Sequence, residues 1–196
     1  MYWNKTTILI GLMLIFFWGT QSCKYNTALS ETEKENYLTK GKIISSNLFG
    51  VLLKAVSNSL KNDGVVATID YCKLNAYPLT DSLAKVHKAH IRRTSHKVRN
   101  LKNTPDSLEQ VVLQTYLKQH KKLEETPEIL VQQADKVHYF APIFVAAPCL
   151  KCHGKINTDI SKVAYTAIGN AYPQDRAINF EAGAIRGIWS ISFDVP

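Results

Sequence analysis

The chain has 196 residues, of which 45% are hydrophobic and 20% are charged, and its formal net charge is +8. This composition is that of a soluble globular domain and excludes a low-complexity or disordered chain; the length suits one domain. The basic residues are spread over residues 73–122 rather than gathered on one amphipathic helix. We interpret them as a solvated face, which could also attract an acidic partner or anionic lipid.

Residues 1–22 have the pattern of a signal peptide. Lys5 supplies the positive charge, and residues 8–18 form an apolar core. That run is shorter than the about 20 residues of a membrane-spanning helix, although an uncleaved membrane anchor is an alternative. Ser22 directly before Cys23 resembles a bacterial lipoprotein cleavage site. We therefore expect an exported protein on the periplasmic face, anchored to a membrane by a lipid on Cys23, with no nucleic acid partner.

The first half of the mature chain predicts helices. Residues 23–37 are polar and charged, which fits a tether or a frayed helix start before a domain over residues 38–196. Apolar residues then recur mostly every four positions from Leu38 to Leu60, which predicts a long amphipathic helix. Asn62-Asp63-Gly64 ends this helix. Shorter helices are predicted over residues 65–73, 81–89 and 105–123.

The second half predicts strands. Residues 137–147 are rich in aromatic and β-branched side chains, and residues 187–195 alternate between two faces. A further strand is possible over residues 90–98, and residues after the cysteine motif read as a loop region. Helices first and paired strands later predict an α+β domain with an antiparallel sheet.

The most informative motif is Cys149-Leu150-Lys151-Cys152-His153. Two cysteines separated by two residues and followed at once by histidine are the attachment signature of c-type haem. Each thiol can add to one haem vinyl group, and His153 can then reach the iron as the proximal ligand. The signal peptide agrees with this, because haem is attached to such motifs after export. We expect one covalent haem.

Three alternatives use the same cysteines differently. A thioredoxin-like pair would need a βαβ unit, and none is predicted before the motif. A structural zinc site could recruit Cys72 with Cys149, Cys152 and one histidine. A disulfide between Cys149 and Cys152 would close a very small ring and leave Cys72 alone.

The second axial ligand of such a haem is not methionine, because Met1 and Met13 both fall in the leader. Cys72 is one candidate, since it shares an apolar helical face with Val65 and Ile69. A buried free cysteine is the alternative interpretation of that position. Water or no ligand are further possibilities. The remaining candidates are histidines in polar surroundings: His87, His90, His96, His120 and His138.

Several motifs in order resemble a family of single-haem, PAS-like c-type cytochromes, which occur alone or as extracytoplasmic parts of membrane sensors. The resemblance runs roughly from Leu38 to the C-terminus, and Ala182-Gly183-Ala184 departs from the family's Gly-Asp pair. The matching motifs are Ile91-Arg92-Arg93-Thr94-Ser95, Val98-Arg99-Asn100, Asn103-Thr104-Pro105-Asp106 with Glu109, Cys149 to Gly154, Tyr172-Pro173-Gln174-Asp175-Arg176-Ala177, and Gly183-Ala184-Ile185-Arg186-Gly187.

The resemblance implies a PAS-like antiparallel sheet with helices packed around the haem. It also implies axial ligation by His153 and by Cys72. A thiolate ligand would give the haem a low reduction potential. Arg92, Arg93 and Arg99 are candidates to pair with the haem propionates.

Three functions remain open on this reading. An electron carrier or redox adaptor at the membrane surface ranks first, and a haem-based redox or gas sensor acting through a membrane sensor or other partner is second. A haem enzyme such as a peroxidase is a distant third, because two protein ligands would close the distal site. We therefore expect no enzymatic activity.

Overall fold

The structure is a computed structural model that describes residues 28–122 and 125–195. The predicted signal peptide and Cys23 lie outside the described residues. The helices are α1 (Glu31–Asn62), α2 (Gly64–His87), α3 (Ser107–Lys121), α4 (Leu150–His153) and α5 (Lys162–Ala171). The strands are β1 (His90–Thr94), β2 (Ile129–Gln133), β3 (Lys136–Phe144) and β4 (Ile185–Asp194), and Leu101–Asn103 and Ala147–Cys149 form 3-10 turns.

The four strands form one antiparallel sheet in the order β1-β4-β3-β2. On one face, Ile44 and Leu48 of α1 pack against Tyr139 and Trp189 of the sheet. On the other face, α3 covers Phe140 and its neighbours, so that both faces of the sheet are buried. The predicted α+β class, with an antiparallel sheet and a long N-terminal helix, is confirmed.

The helix α1 begins earlier than the apolar periodicity predicts. Ser30 and Glu33 form a capping box, which fixes the start at Glu31 inside the predicted tether. The Tyr37 ring contacts that of Phe193 at a tilt of 42°, with ring centroids 5.4 Å apart, so the first turns of the helix pack against the sheet. By length and composition α1 could cross a membrane, but it packs on α2 and β3. Its end at Asn62 is as predicted.

The prediction of two helices over residues 65–73 and 81–89 was wrong, because α2 runs unbroken through Pro78. Proline removes one backbone hydrogen bond from a helix interior. Packing on both sides of Pro78 outweighs that cost: Ile69 lies in the cluster with α5, while Leu83 and Ala84 lie against the α1–sheet core. Tertiary contacts therefore override the local signal for a break.

The strand boundaries and two elements also differ from the prediction. β1 ends at Thr94 rather than at residue 98, because the Ser95 hydroxyl accepts the Lys97 N–H and turns the chain. β3 ends at Phe144, three residues early. The edge strand β2 and the helix α5 were not predicted; α5 begins at a Ser161 cap within the supposed loop region.

Candidate functional site

A cavity of about 290 Å³ lies between the helices α1 and α2, the α1-facing side of the sheet and the cysteine motif. Its lining brings together Cys72, Cys149, Cys152 and His153, which the sequence separates by up to eighty-one positions. Apolar side chains of α1 complete one wall, including Phe49, Leu52, Leu53 and Val56. The three cysteines and the histidine singled out from the sequence therefore line one cavity.

The cysteine motif is presented on a 3-10 turn followed by the single-turn helix α4. Cys149 and Cys152 are both free and partly buried. Gly154 ends α4, and a β-carbon there would overlap the carboxyl group of Asp159. Asp159 in turn accepts a 2.8 Å hydrogen bond from the Lys155 N–H. Glycine is thus required at position 154 by a close approach, not by its backbone angles.

His153 is held in one orientation by its ring nitrogen Nδ1, which lies 2.8 Å from the carbonyl oxygen of Ala177. Because a carbonyl only accepts, this contact assigns the proton to Nδ1 and leaves Nε2 with a free lone pair. Burial, reinforced by Arg186 and Arg99, lowers the pKa of His153 well below its ordinary value of 6.5. A neutral imidazole with a fixed Nδ1–H and a free Nε2 is the form that binds a metal.

Arg99 ties the motif to the segment that holds His153. Its guanidinium pairs with both carboxylate oxygens of Asp175 at 3.1 and 3.2 Å. The same group donates to the carbonyl oxygens of Cys152 at 2.6 Å and Ala177 at 3.2 Å. The Asp175 carboxylate also accepts the Ala177 N–H at 2.8 Å. The carbonyl that orients His153 is therefore fixed by a buried ion pair.

Cys72 lies on α2 and lines the same cavity as Ile69, which agrees with the predicted apolar face. Burial, and next the neighbouring Cys152 thiol, raise the pKa of Cys72, whereas Arg93 and Arg99 lower it. Among the described residues, the cavity lining contains none of the other candidate ligands His87, His90, His96, His120 and His138.

The three predicted arginines occupy different places. Arg93 and Arg99 line the cavity. Arg92 lies on the other side of β1, where its Nε is 3.3 Å from the buried carboxylate of Glu109 and its guanidinium donates to the Thr104 carbonyl. Alternation along the strand separates neighbours in this way, because successive side chains point to opposite faces.

Arg186 also lines the cavity, although the sequence assigned it no role. It lies where the register between β3 and β4 shifts, so a bulge directs its side chain. A β-carbon at the next residue, Gly187, would overlap the carbonyl oxygen of Thr94. Asp175 was likewise not predicted as a site residue, although Asp175 and Arg186 both lie in the motifs that carry the family resemblance.

The geometry bears on the alternative uses of the cysteines. The motif follows β3 of an antiparallel sheet rather than opening a βαβ unit. In the part of the chain that the structure describes, no three His, Cys, Asp or Glu side chains are grouped closely enough to hold a metal ion. A zinc site thus lacks its preassembled ligand set, and the three cysteines of this part are unpaired.

A model of the Tll0287-like protein family matches residues 25–194. Among solved structures, the chain is similar to the crystal structure of the cyanobacterial heme-protein Tll0287, with 21% sequence identity and a TM-score of 0.56. The alignment covers 85% of this chain and 97% of that one, and at this identity it shows a common fold. No curated protein matches the chain. Since the family match spans most of the sequence, the chain belongs to the Tll0287-like family.

Proposed function

We propose that the protein is an exported c-type cytochrome with one covalent haem, acting as a low-potential redox protein. The observation that carries this proposal is the shared cavity lined by Cys149, Cys152, His153 and Cys72. The cyanobacterial structure is described as a heme-protein, which supports haem as the ligand of this family's fold.

The residues present fit a haem. Cys149 and Cys152 would carry the thioether bonds, and the free Nε2 of His153 would ligate the iron. Cys72, which lines the same cavity, would supply a second iron ligand as a thiolate, since coordination deprotonates a thiol. Haem itself supplies an iron centre that takes up and releases one electron.

The protein's own contribution is to hold these groups and to set the potential. The Ala177 carbonyl, held by the Arg99–Asp175 pair, keeps His153 oriented, and burial with the charges of Arg186 and Arg99 lowers the pKa of His153 and keeps it neutral. A thiolate from Cys72 would donate electron density to the iron and favour the ferric state, which gives a low potential. The apolar wall from α1 would keep water away, and exclusion of water also tunes the potential.

A role in electron transfer fits a small domain with one such centre, a basic surface and a lipid on Cys23 that would hold it near membrane-bound redox enzymes. An acidic redox protein is the partner that this surface charge favours. The competing role is a sensor of redox state or of a small gas that signals through a separate partner, and coordination chemistry distinguishes the two.

The test is an absorption spectrum of protein matured in an exporting host, oxidised and reduced, with and without carbon monoxide. We expect a low-spin spectrum that carbon monoxide leaves unchanged, as two firm axial ligands require. Ready binding of carbon monoxide would favour a gas sensor instead.

A matched pair of variants assigns the second ligand. Cys72→Ala should become high-spin and bind carbon monoxide, while His120→Ala, outside the cavity, should retain the parent spectrum. An unchanged absorption and electron spin resonance spectrum in Cys72→Ala would contradict ligation by Cys72.

A further inference from the structure

The ionisable side chains around the cavity are unbalanced in charge. Among the described lining residues, four are cations and none is an aspartate or glutamate. The cations are Lys73, Arg93, Arg99 and Arg186. Lys73 is exposed, whereas the three arginines are partly buried. Burying a cation is costly unless it has a counter-charge, so an arginine here without an acidic partner favours the binding of an anion.

Among the described residues, the guanidinium groups of Arg93 and Arg186 have no partner of opposite charge within ion-pair distance. Arg99 is neutralised by Asp175, with side chains only 13% and 7% exposed. Arg93 makes one long contact, 3.4 Å, to the carbonyl oxygen of Ala76. Arg186 donates through one terminal nitrogen to the Ser95 hydroxyl at 2.8 Å and the Lys97 carbonyl at 3.1 Å.

Arg186 also leaves a donor unused. Its Nε is buried and has no hydrogen-bond partner in the part of the chain that the structure describes. Burial, and next the nearby Arg99 with a smaller effect of Arg93, lower the pKa of Arg186 to about 9 in spite of Asp175. A buried guanidinium beside a second cation, with a free donor, is the environment that a carboxylate relieves with charge-assisted hydrogen bonds.

We propose that Arg93 and Arg186 together bind the two propionate carboxylates of the haem. This inference rests on the proposed function, and it replaces the assignment of Arg92 and Arg99, which are paired with Glu109 and Asp175. Two unbalanced cations match two carboxylates in charge. Binding at these two residues would also orient the haem, because Arg93 lies on β1 and Arg186 on the paired strand β4.

The test is the midpoint potential of the haem-loaded protein in Arg93→Gln and Arg186→Gln. Arg92→Gln is the matched control, because it removes the same charge from the neighbouring position on the outer side of β1. Loss of a cation stabilises the ferric state. A unit charge about 10 Å from the iron, at an effective dielectric constant of about 20, changes the equilibrium between ferric and ferrous haem about tenfold. We expect the midpoint potential of each cavity variant to fall by about 59 mV, which corresponds to a tenfold change in a one-electron equilibrium.

A second readout separates propionate binding from a purely structural role. Without its arginine partner a propionate titrates at higher pH, so the potential of Arg93→Gln and Arg186→Gln should fall as pH rises through neutrality. Arg186→Lys keeps the charge and should restore most of the potential. Where Arg186→Gln does not accumulate, Arg93→Gln decides by the same criteria.

The outcomes distinguish this inference from the function on which it rests. Parent protein that takes up no haem would overturn both. Haem-loaded variants whose potentials match that of Arg92→Gln, with no new dependence on pH, would overturn the propionate assignment alone.

Discussion

The ion pair between Arg99 and Asp175 should govern both the stability of the domain and the orientation of His153. The substitution Asp175→Asn keeps the shape of the side chain and removes its charge. It leaves Arg99, whose side chain is 13% exposed, without a counter-charge. The Ala177 N–H and the Arg99 guanidinium both lose a charged acceptor.

Removing one partner of a buried pair typically costs about 3–5 kcal/mol. Because asparagine still offers a carbonyl acceptor and the pair is not fully buried, we expect a loss of about 3 kcal/mol in the free energy of unfolding. In the double variant with Arg99→Met, the free energy of unfolding should be lower than that of Asp175→Asn alone by less than about 1 kcal/mol, because the unpaired cation is then gone. The two residues thus behave as one unit.

The assay is guanidinium unfolding followed by circular dichroism, with Asp194→Asn as the matched control. Asp194 pairs with Lys136 at the surface, where the two side chains are 81% and 38% exposed, so that variant should change little. The haem-loaded Asp175→Asn protein should also show a larger high-spin fraction, because the carbonyl that orients His153 is loosened. If Asp175→Asn unfolds at the same denaturant concentration as Asp194→Asn, the Arg99–Asp175 pair does not stabilise the domain.

Three further substitutions probe the scaffold by the same unfolding assay. Gly41→Ala places a β-carbon in the Tyr139 ring and should cost about 1–3 kcal/mol. Gly50→Ala in the same helix meets no atom within 4 Å and should stabilise by about 0.5–1 kcal/mol; equal effects of the two would refute the close contact. Tyr116→Phe removes the hydroxyl whose one hydrogen is shared between the Pro127 and Phe140 carbonyl oxygens, at 2.9 and 3.1 Å, so we expect a loss of about 1–3 kcal/mol, and a neutral result would count against this contact.

Local sequence signals located the elements that depend on local chemistry. The capping box of Asp106 and Glu109 starts α3 where the sequence predicted a helix. The turn at Asp63 and Gly64 ends α1, with Gly64 at φ 81°. The antiparallel sheet followed from alternation and β-branched composition in the last third of the chain.

Features that depend on tertiary packing could not be read from the sequence. Two separate helices were predicted over residues 65–73 and 81–89, but packing on both sides of Pro78 holds α2 together as one helix. The edge strand β2 is only half buried and short, so its alternation carries little signal. The departure at Ala182-Gly183-Ala184 is accommodated by a turn in which the Gly183 N–H donates to the Val145 carbonyl and the Ala184 N–H to Glu181.

The candidate site also contains some features that local sequence predicts and others that depend on tertiary packing. The motif of Cys149, Cys152 and His153 is local and needed no structure to be found, and Cys72 was reached through its helical face. The burial and pairing of Arg186 and Asp175 depend on residues far apart in the chain, and only the fold shows which arginines lack a counter-charge.

The central claim is covalent attachment of one haem at Cys149 and Cys152. The most direct measurement is the mass of the intact protein, matured in an exporting host, after extraction with acidified acetone. We predict that the parent protein retains the mass of one haem, and that Cys149→Ser with Cys152→Ser loses it. Protein that gives up its haem to the extraction, or that carries none, would contradict the account.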